Sequence, residues 1–248
     1  MTTSQLESDL TTSTPVGQWV AKHPATSRIF EAFGIDYCCG GKQSLEKACA
    51  ERQIDPDTVL ARLHPALSRG DDSVSANWLD APLAALCDHI EVTHHAYLKS
   101  ELPRFTEIVA KVVRAHGDTH PEIKGVQHAL SELRAELEPH MFKEEQILFP
   151  AIRWLEGSTS RPAFPFGTIA NPIRMMELEH DGAGNALRQI REFTRDFEVP
   201  EGVCNTYRVM LDGLATLEQD MHVHVHKENS ILFPRAVSLE QVLAGAQH

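Results

Sequence analysis

The sequence predicts an all-α protein: an antiparallel four-helix bundle preceded by a small helical domain. Three observations predict it. From Asp80 onward, apolar residues recur at alternating spacings of three and four, as they do on helices that face a bundle. No segment shows the period-two alternation of a half-buried strand. The segment His140-Met-Phe-Lys-Glu-Glu-Gln-Ile-Leu-Phe-Pro returns 84 residues later as His224-Val-His-Lys-Glu-Asn-Ser-Ile-Leu-Phe-Pro. The second and fourth long helices are therefore expected to be equivalent members of two helix pairs packed about a pseudo-twofold axis.

Residues 1–14 are rich in Ser and Thr and are expected to form a disordered tail. Residues 15–68 read as a small helical domain. Val16, Trp19, Val20, Ile29, Phe30, Phe33 and Ile35 supply its apolar set, and Leu45, Ala48, Cys49, Val59, Leu60 and Leu63 suit two further short helices. Asp36-Tyr-Cys-Cys-Gly-Gly reads as a turn, because paired glycines admit backbone shapes barred to other residues. Residues 69–79 are polar and read as a linker, and the bundle spans 80–248.

The first long helix is expected from about Ala81 to His116, with Asp80 as N-cap, Pro82 in the first turn, and a bend or turn at Pro103. The second runs from about Pro121 to Leu155 on a stripe of Val126, Leu130, Leu133, Leu137, His140, Glu144, Ile147 and Ala151. Gly157–Thr168, with Pro162 and Pro165, is a loop. The third helix follows Asn171-Pro172 with Ile173, Met176, His180, Ala183, Leu187, Ile190 and Phe197 inward. Glu201-Gly202 separates it from the fourth, whose stripe is Tyr207, Met210, Leu214, Leu217, Met221, His224, Glu228 and Ile231.

Composition narrows the function. With 23 basic and 35 acidic residues the formal charge is −12, which argues against nucleic acid as a partner. No apolar run approaches the ~20 residues that span a bilayer, and the polar, acidic N-terminus does not read as a secretory signal. Five cysteines, two of them adjacent, do not form a disulfide framework. These features predict a cytoplasmic protein without membrane or nucleic-acid partners. Fourteen histidines are an unusual load for a chain of this size.

Residues four apart on a helix share a face. His140 with Glu144, and His224 with Glu228, thus each present an imidazole beside a carboxylate on the apolar stripe, where a carboxylate is costly unless paired or bound to a cation. Cations in the bundle centre would account for both glutamates together with His140, His180 and His224. Nitrogen and oxygen donors without thiolate suit iron, manganese or zinc. Two helix pairs, each giving two histidines and one carboxylate, suit two metals. The ligand from the first helix is less clear. Leu83, Leu86, Ile90 and His94 make one stripe; His95, Leu98, Leu102, Phe105, Val109 and Val112 make another. Periodicity leans to His95 and leaves His94 open.

The helical region resembles the haemerythrin-like di-iron proteins, and the chain after Pro15 is similar to the repair-of-iron-centres family. The likeness rests on Asp36-Tyr-Cys-Cys-Gly-Gly-Lys, Pro82-Leu, the two His-x-x-x-Glu motifs with Ile-Leu-Phe-Pro, and Glu177-x-Glu-His-Asp-x-Ala-Gly. It implies a cytoplasmic stress-response protein that supports repair of damaged iron–sulfur clusters, by iron delivery or by reduction of NO. It also implies two iron ions per chain held by His95, His140, Glu144, His180, His224 and Glu228, with the glutamates bridging. NO or O2 would be the small ligands and damaged iron–sulfur proteins the recipients; a homodimer through the cysteine domain is compatible with this. The rival reading is an O2 or NO sensor or carrier without turnover.

The resemblance favours Cys38 and Cys39 as working thiols over a merely packed turn. Extra histidines at His89, His94, His222 and His226 are expected at the surface or around the site. Lys143 and Lys227 are expected to face solvent. Tyr97 and Glu179 are candidates for the route to the site. Cys49, Cys87 and Cys204 read as ordinary apolar positions.

Overall fold

Four short helices open the chain in the computed structural model, which describes residues 10–68 and 77–245: α1 (Val16–Lys22), α2 (Ser27–Ala32), α3 (Leu45–Glu51) and α4 (Pro56–Ser68). Trp19, Phe30, Leu45 and Leu63 are their most deeply buried side chains. Ser44 caps α3, its hydroxyl accepting from the Lys47 amide at 3.3 Å. The expected disordered tail is corrected for its last residues: Leu10 is buried, and the Thr12 and Thr14 carbonyls accept from the Glu46 and Leu45 amides. An apolar anchor and two backbone bonds outweigh the Ser/Thr-rich composition there. The rest of the tail and most of the linker, 69–76, lie outside the described residues.

Four long rods follow. The first is α5 (Leu83–Ile90), a π-helical turn at Glu91–His95, and α6 (Ala96–His116). The second is α7 (Ile123–Lys143), a π turn at Glu144–Leu148, and α8 (Phe149–Glu156). The third is α9 (Ala170–Phe193). The fourth is α10 (Asn205–Lys227), a π turn at Glu228–Leu232, and α11 (Phe233–Gly245). Among the described residues there is no strand, and no helix is long and apolar enough to cross a membrane.

Three local expectations are revised. The first rod begins at Leu83, and its cap is not Asp80 but the remote Glu156, whose carboxylate accepts from the Leu83 and Ala84 amides at 2.6 and 2.8 Å. Pro103 lies inside α6 without ending it, because Leu102 and Phe105 on either side are buried in the bundle. Ile147 is 47% exposed, while Leu148 and Phe149 are buried. A π turn holds one residue more than an α turn and so shifts the inward stripe by one position. Phe197 also leaves its stripe, because α9 ends at Phe193 and Arg195, Asp196 and Phe197 all take positive φ (49°, 58° and 61°).

The core is divided. One apolar cluster joins the small helices to α6, α7, the second half of α9 and α10; another unites α5, α8, the first turns of α9 and α11. Between them the apolar stripe is interrupted by buried histidines and glutamates. The small helical unit rests on the fourth rod beside this layer. A Cβ on Gly17 would lie 2.5 Å from Ser230 Oγ and 3.0 Å from the Gly41 carbonyl, so only glycine lets α1, the cysteine turn and the last π turn meet. Gly41 is needed for this close approach rather than for a left-handed backbone, since its φ is not among the positive values.

The loop after α8 is held by a buried acid. Glu240 accepts from Arg161 Nε (3.1 Å), Thr168 Oγ1 (2.8 Å) and the Ile169 amide (3.2 Å). Glu240→Ala leaves these donors unpaired, and a loss of ~2 kcal/mol is expected. At 2–4 °C per kcal/mol for a chain of this size, that is a fall of about 4–8 °C in melting temperature. An unchanged melting curve would show that water replaces the carboxylate at no cost.

Candidate metal centre

The two His-x-x-x-Glu repeats, the histidine of α9 and the last residue of the first π turn converge in the divided core. His95, His140, Glu144, His180, His224 and Glu228 are all buried, each at most 1% exposed. Their donor atoms form two overlapping groups: His95, Glu144, His224 and Glu228, and His140, Glu144, His180 and Glu228. Each glutamate reaches one histidine of each group. Glu144 Oε2 lies 3.3 Å from both His95 Nε2 and His140 Nε2. Glu228 Oε1 lies 3.0 Å from His224 Nε2, and its Oε2 lies 3.1 Å from His180 Nε2.

Outer partners set the tautomers. His95 Nδ1 donates to Glu145 Oε1 at 2.8 Å, His140 Nδ1 to Glu179 Oε2 at 2.8 Å, and His180 Nδ1 to Asn229 Oδ1 at 2.9 Å. A carboxylate can only accept, so each Nδ1 carries the proton and each Nε2 turns a lone pair inward. Lys99 binds both oxygens of Glu145 at 2.6 and 2.7 Å, and Lys143 binds Glu179. Lys143 is thus engaged rather than simply solvent-facing, and Glu179 orients a histidine. His224 is the exception: its Nδ1 is buried without a partner, and its ring stacks on His94 at 5.2 Å and 4°.

A cation suits what remains inside. His140 Nε2 and His180 Nε2 are 3.1 Å apart, a repulsive approach for two lone pairs. His95 Nε2, both oxygens of Glu144 and Glu228 Oε2 are buried without a hydrogen-bond partner. Unpaired acceptors of this kind are costly in a dry core, and metal ions bound among them would remove the cost. In the metal-free chain a proton is the substitute. Burial pulls the His140 imidazole down, but Glu144 beside it wins and raises its pKa to about 9. Burial and the like charge of Glu228 push Glu144 up, and the imidazoles of His140 and His95 overcome both, to about 2. Glu228 also falls well below the usual carboxylate range, as His224 and His180 outweigh burial.

The remaining sequence candidates fall around this layer. His94 is buried but belongs to neither group; it bonds Asp220 at 2.8 Å and faces Lys227 Nζ at 2.9 Å. Lys227 also meets His89 Nε2 at 2.8 Å, and burial lowers its pKa to about 8, so the expected solvent-facing lysine is corrected. His226 is buried as well, 5.5 Å from the Tyr37 ring, and His222 lies at the same ring's other side at 6.2 Å. Cys204 is exposed, not apolar packing: it is the N-cap of α10 and lies 3.2 Å from His116 Nε2.

Cys38 and Cys39 stand against the outer side of His180. Asp36 Oδ1 accepts from both cysteine amides, at 3.0 and 2.9 Å, and from Cys38 Sγ at 3.2 Å. Cys39 Sγ is 3.5 Å from the His180 carbonyl oxygen. Asn229 joins the two regions, accepting from His180 and donating to the Cys38 carbonyl at 3.3 Å. Sequence reasoning missed Asn229, although its place next to Glu228 in the repeat was a signal: the equivalent position is Glu145, which orients His95.

Comparison with known proteins adds independent findings. Residues 12–67 match a domain of unknown function named ScdA_N, and residues 86–236 match the hemerythrin HHE cation binding domain. The chain is 38% identical over 226 residues to the iron-sulfur cluster repair protein YtfE of Escherichia coli O81 (strain ED1a), covering 91% of this chain and 97% of that protein. It is 37% identical, with the same coverage, to the proteins of that name from Escherichia coli O1:K1 and Escherichia fergusonii.

Proposed function

The chain belongs to the hemerythrin HHE cation-binding family, and we propose that it is a YtfE-like di-iron protein that restores damaged iron–sulfur clusters. The observation that carries this reading is the pair of buried two-histidine groups sharing Glu144 and Glu228. His95 and His224 would hold one iron, His140 and His180 the other, and the two glutamates would bridge. Two irons held there supply one-electron redox chemistry and open positions for a diatomic ligand such as NO or O2. Glu145, Glu179 and Asn229 keep the inward lone pairs aimed, and the two apolar clusters keep bulk water from the layer.

Cys38 and Cys39 are proposed as the thiols through which iron passes to a recipient protein. Support comes from the contact of Cys39 with the His180 carbonyl and from the chemistry of the Asp36, Cys38 and Cys39 group, a carboxylate with two soft ligands. The five free cysteines suit the reducing cytoplasm, which is the proposed compartment.

The test is recovery of an NO-damaged [4Fe–4S] enzyme under anaerobic conditions with the iron-loaded chain. Recovery is expected with the loaded chain, not with the chelator-treated one, and is expected to slow by on the order of tenfold in a Cys38→Ser/Cys39→Ser variant. Recovery at the same rate with that double variant would remove the thiols from the route. No recovery with the loaded chain would remove the repair function.

A further inference from the structure

A cavity of about 550 Å3 lies between the small helical unit and the bundle, within the size range of small-molecule sites. Residues Glu31–Cys39 and Arg52 line it from one side, and α9 and α10 from the other. Its charges are unequal in their freedom. Glu31 accepts from Tyr37 Oη at 2.8 Å, and Asp36 is occupied by the cysteine turn. Asp196 and Glu218 both bind Arg191, at 2.9 Å to its Nη1 and 3.0 Å to its Nε. Arg52 and Arg188, one from each side, have no carboxylate partner among the described residues. Half-buried Cys39 lines the same space, and Cys38 Sγ is 3.9 Å from Cys39 Sγ.

We propose that this cavity admits a low-molecular-weight disulfide bearing carboxylates, with Arg52 and Arg188 receiving the carboxylates and Cys39 exchanging with the disulfide. Guanidinium groups bind carboxylates by charge-assisted, paired hydrogen bonds, so two free ones on facing elements select an anionic ligand. The Cys39 thiolate attacks one ligand sulfur. A bond forms between the two sulfurs, the ligand S–S bond breaks, and the other half leaves as a thiolate with the bonding pair. The ligand itself is the oxidant. Cys38 is poorly placed to displace the adduct, because a disulfide between adjacent residues is strained. The mixed disulfide therefore persists, and it closes the thiol route while it lasts. This inference deepens the reading of Cys38 and Cys39 given above and rests on it.

The experiment uses the full-length iron-loaded chain carrying Cys204→Ser, which removes the exposed competing thiol. Oxidised glutathione serves as the anionic probe and cystamine as the cationic one, and adducts are followed by intact mass and peptide mapping. One adduct at Cys39 is expected, formed about tenfold faster with the anionic probe, the scale on which complementary charge raises association rates. Arg52→Ala/Arg188→Ala should abolish that preference while leaving the cystamine rate unchanged. Equal rates for the two probes, or adducts only at other cysteines, would overturn the proposal. Iron content measured on the same sample separates the two readings: a chain that holds its iron but shows no anionic preference refutes the disulfide site alone.

Discussion

Glu228→Ala is expected to lower iron affinity by at least about a hundredfold and to leave fewer than two irons per chain. Loss of a mere outer partner of a metal ligand already costs 10–100-fold, and Glu228 touches one histidine of each group, at 3.0 and 3.1 Å. Glu144→Ala should act alike, since Glu144 also meets a histidine of each group, at 3.3 Å. Elemental analysis against a competing chelator reads the effect. Glu132→Ala, at an exposed position of α7, should retain full iron content. Two irons retained in both Glu144→Ala and Glu228→Ala would contradict the bridging roles.

Removing the metal should lower the melting temperature, by an amount that grows with pH. Binding to the folded chain alone contributes ~2.7 kcal/mol when free metal is about 100 times the dissociation constant. That corresponds to about 5–10 °C for a chain of this length. The metal-free chain has its own pH window. His140 rises from 6.5 unfolded to about 9 folded, so its contribution is full below 6.5 and is lost as pH rises through 9. Glu144 falls from 4.5 to about 2, so its contribution is present above 4.5 and is lost as pH falls through 2. The metal-free chain should therefore be most stable between these limits. Metal requires neutral imidazole and displaces protons on binding, so loading gains from rising pH. Calorimetry of loaded and stripped protein at pH 6 and pH 9 should show the gap widening. A constant gap would mean that the layer exchanges no protons with the metal.

The helical architecture and the six convergent residues were legible because both rest on periodicity. A carboxylate at an apolar position is conspicuous, and the repeat displays it twice. The choice between His94 and His95 was ambiguous for a physical reason. The stripes ending at Ile90 and beginning at His95 are out of phase by one residue, and the π turn at Glu91–His95 absorbs that residue. The same effect misassigned Ile147, which a regular helix would have turned inward. What periodicity does not carry is pairing between remote segments. Glu156 capping α5, Lys227 between His89 and His94, and Asn229 beneath the cysteine turn are contacts 73, 138 and 191 residues apart in sequence. Cys204 looked apolar because cysteine usually is; only its position at the start of α10 beside His116 reveals an exposed thiol.

The three π turns also bear on how such a chain tolerates change in length. Deleting one residue from Glu144–Leu148 would restore an ordinary α-helix there and rotate everything after it by about 100°. Phe149, Ile152 and Leu155 would swing out of the interior together, although no side chain at the centre had been altered. Point substitutions in these segments are graded in their effects, whereas a one-codon gap is all or nothing. Drift in the length of the chain is therefore confined to the connecting loops.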